Sequence, residues 1–318
     1  MPSSAVMNIR HPGISVVWIE KYALYSQSPG ESPHSIDHMF LAEVVPYSAQ
    51  DTYRVRGFRG EETQAFVEFG PGDALSYVNE WLVDRKVRSH DSARELDEAF
   101  PNVRYRFSIE DAKGKHEISL LLGGKDGVTR CPDAPKLALS QAGREVSRID
   151  STLETWIEWS AFEARPPAGS EAALFGGNTI FVLVDNCRGE TVFSSGSGQK
   201  KETLRPDATR IAIPAGTLEP GIRYTVFVSF INARSTDTVT TDSGVIAGVS
   251  VNSIAVELGF TTSGEARDSR SCPPVELRAN YRWPGKLKTT GGLRPWPVDS
   301  SGLRLEVAQP LRAACTER

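Results

Sequence analysis

Hydrophobic and polar residues alternate along most of this chain with a period of two, and long helical periods are scarce. The run Ile14–Gln27, ISVVWIEKYALYSQ, is rich in β-branched and aromatic residues and predicts a first strand. Ser28–Ser35 reads as a loop from its prolines, glycine and serines, and His38–Tyr47 as a second strand. Thr52–Gly57 and Gln64–Phe69 predict a hairpin around Arg59-Gly60-Glu61, and a longer alternation follows at Ala74–Val87. A second hairpin is predicted from Arg104–Glu110 and His116–Leu122. One helix interrupts the strands. Ser92 stands as its N-cap with Glu95 three residues on, a capping box, and Pro101 ends it.

After Gly123–Pro135, a stretch bearing glycine and proline, a second set of strands begins. Lys136–Leu139, Leu153–Ala161, Thr179–Asp185 and Glu190–Ser194 precede the most informative stretch, Ala208–Phe230. There Ile211 and Ile213 alternate with Arg210 and Ala212, then Pro220-Gly221 makes a turn. Beyond the turn Tyr224, Val226, Val228 and Phe230 point one way, and Arg223, Thr225, Phe227 and Ser229 the other. Val249–Phe260 is the last strand of the set. Two stretches read as inserted connections, Glu163–Asn178 and Ala233–Gly248.

The run from Leu218 to Val226, LEPGIRYTV, resembles the E–F corner of fibronectin type III domains. That resemblance implies a sandwich scaffold in which the Tyr224 hydroxyl ties the corner down. It also places Trp159 at the family's core tryptophan. Residues 95–111, ELDEAFPNVRYRFSIED, are similar to segments of secreted, two-domain, β-rich bacterial proteins, a likeness that brings no catalytic residues with it. The expected fold is therefore all-β, with two sandwich domains. Residues 1–130 form a sandwich with one short helix, and residues 131–262 one like fibronectin type III or immunoglobulin domains. Residues 263–318 follow as an irregular basic segment.

Composition narrows the function classes. With 36 Lys+Arg against 40 Asp+Glu in 318 residues, the net charge of −4 argues against nucleic acid as partner. The charge is uneven. Residues 263–318 carry 10 basic against 6 acidic residues, leaving an acidic body. No run reaches the ~18 apolar residues a membrane span requires, and the first residues lack the apolar core of a secretory leader. The expected location is nonetheless secreted or cell-surface, with the leader absent from this sequence. Cys131, Cys187, Cys272 and Cys315 form no C-x-x-C pair, which speaks against structural zinc, and three disulfide pairings are open to them.

Catalytic signatures are missing: no G-x-S-x-G, no H-E-x-x-H and no phosphate-binding loop. His34, Asp37 and His38 could ligate a divalent transition metal by chemistry alone. On a strand, however, positions 34 and 38 stand about 13 Å apart. No cofactor is expected. Trp283 and Trp296, beside Arg282 and Arg294, are candidates for an interface because aromatic and arginine side chains dominate contact hot spots. The reading that follows is a non-catalytic contact protein, partnered by protein, by itself or by carbohydrate, as a structural subunit of an assembly. The alternative is a carbohydrate-active hydrolase or lyase with a carboxylate site between the domains.

Overall fold

A computed structural model describes residues 13–46, 52–70, 73, 75–78, 81–111, 114–123, 132–163, 178–195, 204–241 and 244–265. In order the strands are β1 (Ile14–Gln27), β2 (His34–Pro46), β3 (Tyr53–Arg59), β4 (Val67–Phe69), β5 (Leu75–Val78) and β6 (Trp81–His90). Helix α1 (Ala93–Ala99) precedes β7 (Arg104–Asp111), β8 (Gly114–Leu121), β9 (Leu137–Gln141), β10 (Arg144–Glu145), β11 (Arg148–Ile149) and β12 (Thr155–Trp159). Then come β13 (Thr179–Asn186), β14 (Thr191–Ser194), β15 (Arg210–Ile213), β16 (Arg223–Thr241) and β17 (Gly244–Thr262). The fold is all-β. No described helix is long and apolar enough to cross a membrane.

A nine-stranded sheet dominates, in the order β14-β13-β16-β17-β1-β2-β6-β5 with β11 attached to β17. Two four-stranded sheets, β4-β3-β7-β8 and β10-β9-β12-β15, lie on one face of it, here the inner face. Register assigns the faces. Ile19, Ser250, Ser235 and Ala42 are cross-strand partners and share the inner side, as do Ala23, Ile254, Phe230 and Ile180. The first small sheet meets this face through Phe40, whose ring lies 5.9 Å from that of Tyr105 on β7 and stacks at 4.0 Å on Phe100 at the end of α1. The second meets it through Gln27, whose side chain accepts from and donates to the backbone of Leu137. Near the second small sheet, Phe162 stacks on Phe230 at 4.5 Å.

Two hydrophobic cores result, side by side along the same strands. One gathers Ile19, Phe40, Val55, Tyr105, Phe107 and Ile118, the other Ile157, Trp159, Val182, Tyr224, Val228 and Phe260. They do not follow the division of the chain near residue 130. Ile246 on the inner side of β17 belongs to the first core, and Ala23 and Tyr25 of β1 belong to the second. What joins them is β1 against β17, paired in parallel from Val16–Ala247 to Gln27–Leu258.

The stretch Ala233–Gly248, expected as an inserted connection, is instead the far half of a hairpin. β16 and β17 pair from Arg223–Thr261 out to Thr241–Gly244, with one irregularity between Ala233 and Ser235. Thr236, Thr238, Val239, Thr240 and Val245 supply the β-branched positions that favour strand, and polar threonines disguise the run as a loop. This extension also closes an edge. The outward N–H groups of Ser119 and Leu121 on β8 donate to the Asp237 carboxylate and the Ser235 hydroxyl, each at 2.7 Å. Ser250 Oγ donates to the Leu121 carbonyl at 2.8 Å. Side chains thus satisfy backbone groups that would otherwise offer a template for another strand. Gly248 is needed at this approach, because a Cβ there would run into the Ile118 side chain.

The corner expected near Tyr224 is present. Gly221 adopts φ +69 in the turn, and the Glu219 N–H donates to the Tyr224 hydroxyl at 2.7 Å. Trp159 is buried between the sheets, its indole N–H donating to the Ala208 carbonyl at 2.8 Å. Helix α1 begins as predicted, with Ser92 Oγ accepting from the Glu95 N–H at 3.2 Å. The Glu95 carboxylate reaches back one residue further than expected, to the Asp91 N–H.

Removing the corner hydroxyl, Tyr224→Phe, strands the Glu219 N–H and is expected to cost about 1–2 kcal/mol in urea unfolding. Trp159→Ala should cost about 3–5 kcal/mol by opening a cavity in the second core. A loss of only a few tenths for the tyrosine variant would remove the corner from the list of stabilising contacts.

Candidate functional site: the junction of the two cores

The residues proposed from sequence for metal binding fall on β2 and do not converge. His38 is buried on the inner face opposite His90, and its Nε2 lies 2.8 Å from Ser35 Oγ. Asp37 projects to the other face by strand alternation, and His34 sits at the strand's exposed start. Among the described residues no three His, Cys, Asp or Glu side chains gather as a metal site. The interface candidates Trp283, Trp296, Arg282 and Arg294 lie outside the described residues, as does Leu303–Val307, noted for its alternating pattern.

Charge is concentrated where β1 crosses between the cores. On the inner face Lys21, only 1% exposed, donates to the carboxylate of Asp97 on α1 and to Asn102 Oδ1 at 2.8 Å. Beside it Asn252 Nδ2 donates to the Leu122 carbonyl at 3.2 Å. Burial pulls the Lys21 ammonium down from its ordinary value, and Asp97 opposes that shift. These contacts tie α1 and the end of β8 to the central strands. They also place polar groups where the two apolar cores meet.

On the outer face stands a second group. Trp18 Nε1 donates to Glu20 Oε2 at 2.9 Å, and Ser253 Oγ donates to Glu20 Oε1 at 3.2 Å. One strand over, Glu43 accepts from Arg85 Nε. Glu20 and Glu43 are diagonal neighbours, since Glu43 pairs with Trp18 and Glu20 with Leu41. Burial drives the Glu20 carboxyl well above its usual range, and the Glu43 charge adds to that. Burial likewise pushes Glu43 up to about 7, with Arg85 pulling it back. On the opposite, inner face Asp84, the partner of Val44, is pushed to about 6 by burial, with Lys86 and the Tyr53 hydroxyl pulling it back and Asp73 raising it.

Two carboxyls with raised pKa resemble an acid–base pair, but accessibility decides otherwise. Glu20 and Glu43 are 0% and 1% exposed, so a saccharide could not reach either. Their hydrogen bonds are made to neighbouring strands. The arrangement therefore bears on stability. Glu20-Lys21, an adjacent pair of opposite charges inside an otherwise apolar strand, was the available sequence signal for it.

The surface left for contact consists of sheet edges and connecting loops. Both edges of the large sheet are blunt: β5 and β14 are four residues each. Cys187, in the turn between β13 and β14, is held in a disulfide.

No family model matches the chain, and no curated protein matches it. Among solved structures it is similar to the BSP domain of a biofilm-associated protein, at 11% identity and a TM-score of 0.19, covering 78% of this chain and 30% of that one. It is also similar to the FN1–FN3 domains of chicken CNTN1, at 10% identity and a TM-score of 0.22, covering 79% and 66%. A chimeric titin Z1Z2 tandem gives 13% identity and a TM-score of 0.19, covering 78% and 100%. The chain thus spans less than two thirds of the first two, and its fold assignment rests on its own strand pairing.

The raised carboxyls set the direction of the pH dependence. A group whose folded pKa exceeds its unfolded value of 4.5 stabilises fully below that value, and loses the contribution as pH rises through the folded pKa. The melting temperature should therefore fall between pH 5 and pH 8. Glu20→Gln keeps an acceptor for Trp18 and no longer has a charge to bury. It should raise the melting temperature more at pH 8 than at pH 5. A larger effect at pH 5 would contradict this assignment.

Proposed function

We propose that this chain is a non-catalytic β-sandwich protein of the cell exterior, secreted or surface-held. On this reading it works by contact with proteins, with other copies of itself or with carbohydrate, as a structural subunit of a larger assembly. The observation that carries the reading is the nine-stranded sheet that runs unbroken through both cores. Bending the molecule between its cores would break the parallel ladder of β1 and β17 and the middle of the β16–β17 hairpin together. Such a body holds the loops at its two ends at fixed spacing, which suits a spacer or an assembling subunit. It suits poorly a site that opens and closes between domains.

Location outside the cytoplasm is supported by the Cys187 disulfide, since such bonds persist where the surroundings oxidise thiols. The alternative, a hydrolase or lyase with carboxylates between the domains, has a specific observation to answer. The carboxyls at the junction, Glu20, Glu43 and Asp97, are engaged by Trp18 and Ser253, by Arg85 and by Lys21.

The two readings separate in a paired assay on the full chain. Surface-immobilised glycans and bacterial surface extracts report binding, while release of reducing ends from soluble polysaccharides reports turnover. Retention on at least one surface without turnover is expected. Turnover abolished by a single Asp or Glu substitution would overturn the proposal. Thiol titration of denatured, unreduced protein should find at most two free cysteines, and four would remove the argument for an oxidising location.

A further inference from the structure

Lys21 is a primary amine with almost no access to water, set against both a carboxylate and an amide. Its Nζ donates to the carboxylate of Asp97 and to Asn102 Oδ1 at 2.8 Å. Asp97 alone would satisfy the rule that buried charges are paired. The amide of Asn102, in contact with the same nitrogen, adds a chemistry that an ion pair lacks. An amine beside a carboxamide exchanges one amide for another once the amine is neutral and a proton carrier is at hand.

The surroundings meet both conditions. Lys21 pairs with Phe40 across β1 and β2, and Phe40 stacks on Phe100, which stands between Asp97 and Asn102 in the chain. On its other side Lys21 pairs with Asn252, whose Nδ2 is engaged by the Leu122 carbonyl. Burial in this setting pulls the ammonium down towards the neutral, nucleophilic amine. Asp97 is the base already in contact with it.

Position is fixed as well. Asn102 lies in a tight turn, where the Val103 N–H donates to the Pro101 carbonyl at 2.9 Å and the Leu122 N–H to the Val103 carbonyl at 3.3 Å. Gly123 passes so close that a Cβ there would meet Asn102 at 2.9 Å. Adding one carbonyl bond to the 2.8 Å contact puts Asn102 Cγ within about 4 Å of Nζ. A small rotation of the amide reaches the ~3–3.5 Å of an attacking geometry. Asp97 and Asn102 are half-buried, which leaves a small product a way out.

We propose that Lys21 and Asn102 form an intramolecular isopeptide bond, with Asp97 as its acid–base group. Asp97 takes a proton from Nζ, and the amine attacks Cγ of Asn102. As the bond from Cγ to Nδ2 breaks, Asp97 hands its proton to the leaving nitrogen, and a second proton from Nζ follows. One lysine ammonium and one carboxamide thus become one Nζ–Cγ amide and one ammonium ion, with Asp97 a carboxylate again. Nothing is oxidised or reduced, and no activated donor is needed. The bond joins positions 81 residues apart, the centre of the large sheet and the turn between α1 and β7. It does not depend on the contact function proposed above.

Intact mass spectrometry of the full chain, reduced and denatured, tests this directly. The chain should be lighter than its sequence by one ammonia. Trypsin should fail to cut after Lys21 and should release a branched peptide joining the Lys21 segment to Glu95–Arg104. Lys21→Arg and Asn102→Ala should each have the full mass of their sequence and melt several degrees below the parent. Asp97→Ala keeps both partners and should stay unlinked or link far more slowly. A parent chain of full mass that trypsin cuts after Lys21 would overturn the proposal. So would loss of ammonia without the branched peptide, the result of ring closure within Asn102 itself. Loss of water in place of ammonia would move the bond to Asp97 and overturn the assignment to Asn102. The parent chain carries the first readout, so a variant that fails to fold leaves the test intact.

Discussion

The parallel pairing of β1 with β17 is the constraint on which the rest of this molecule depends. It joins the first described strand to the last, over residues more than two hundred positions apart, and it lies at the centre of the largest sheet. Closing a loop of that length costs chain entropy that no local contact repays. The recompense comes from both cores at once, because Val17 and Ile19 serve the first core while Ala23 and Tyr25 serve the second. A strand that is inner wall to two cores cannot be released by either one alone. The two sandwiches are thereby coupled in folding.

The same coupling explains the charges along β1. Where one core gives way to the next, the strand must cross a region that neither small sheet fills. Lys21 spans it on the inner side by binding Asp97 and Asn102, and Asn252 continues the polar line to the end of β8. Apolar residues at these positions would pack against polar backbone ends and leave the Leu122 carbonyl unpartnered. On the outer side Glu20 is held by Trp18 and Ser253, and its burial, with the Glu43 charge nearby, favours the neutral acid. Different solutions at adjacent residues follow from strand alternation, which puts Lys21 and Glu20 on opposite faces of the sheet.

Local features were legible in the sequence, and long-range ones were not. Ile14–Gln27 matches β1 end to end, the Ser92 cap is in place, and the turn at Gly221 leads into the hydroxyl contact of Tyr224. Each is set by residues within a few positions of one another. The partner of β1 was invisible because period-two alternation says which residues share a face and nothing about which strand lies alongside. Ala233–Gly248 looked like a connection for a related reason: its threonines and serines are polar, yet they hydrogen-bond the edge of β8, a role known only once β8 is beside them. The buried acids escaped notice because a glutamate in a strand usually faces water. Only the paired position of Glu43 and the approach of Arg85 give it a reason to be inside.

A sheet this long has two faces to close, and a chain that builds small sheets on one of them has solved half of its own problem. Strand alternation guarantees that whatever makes the inner face apolar leaves every second residue for the outer one. On β16, Tyr224, Val226, Val228 and Phe230 point inward while Phe227 and Ile231 point outward, all of them buried. A strand meant for solvent on one side would carry charges at 227 and 231. Continuous hydrophobicity on β1, β16 and β17 is the pattern of strands covered on both faces, and it is why alternation alone gave no sign of which of their faces would meet the small sheets.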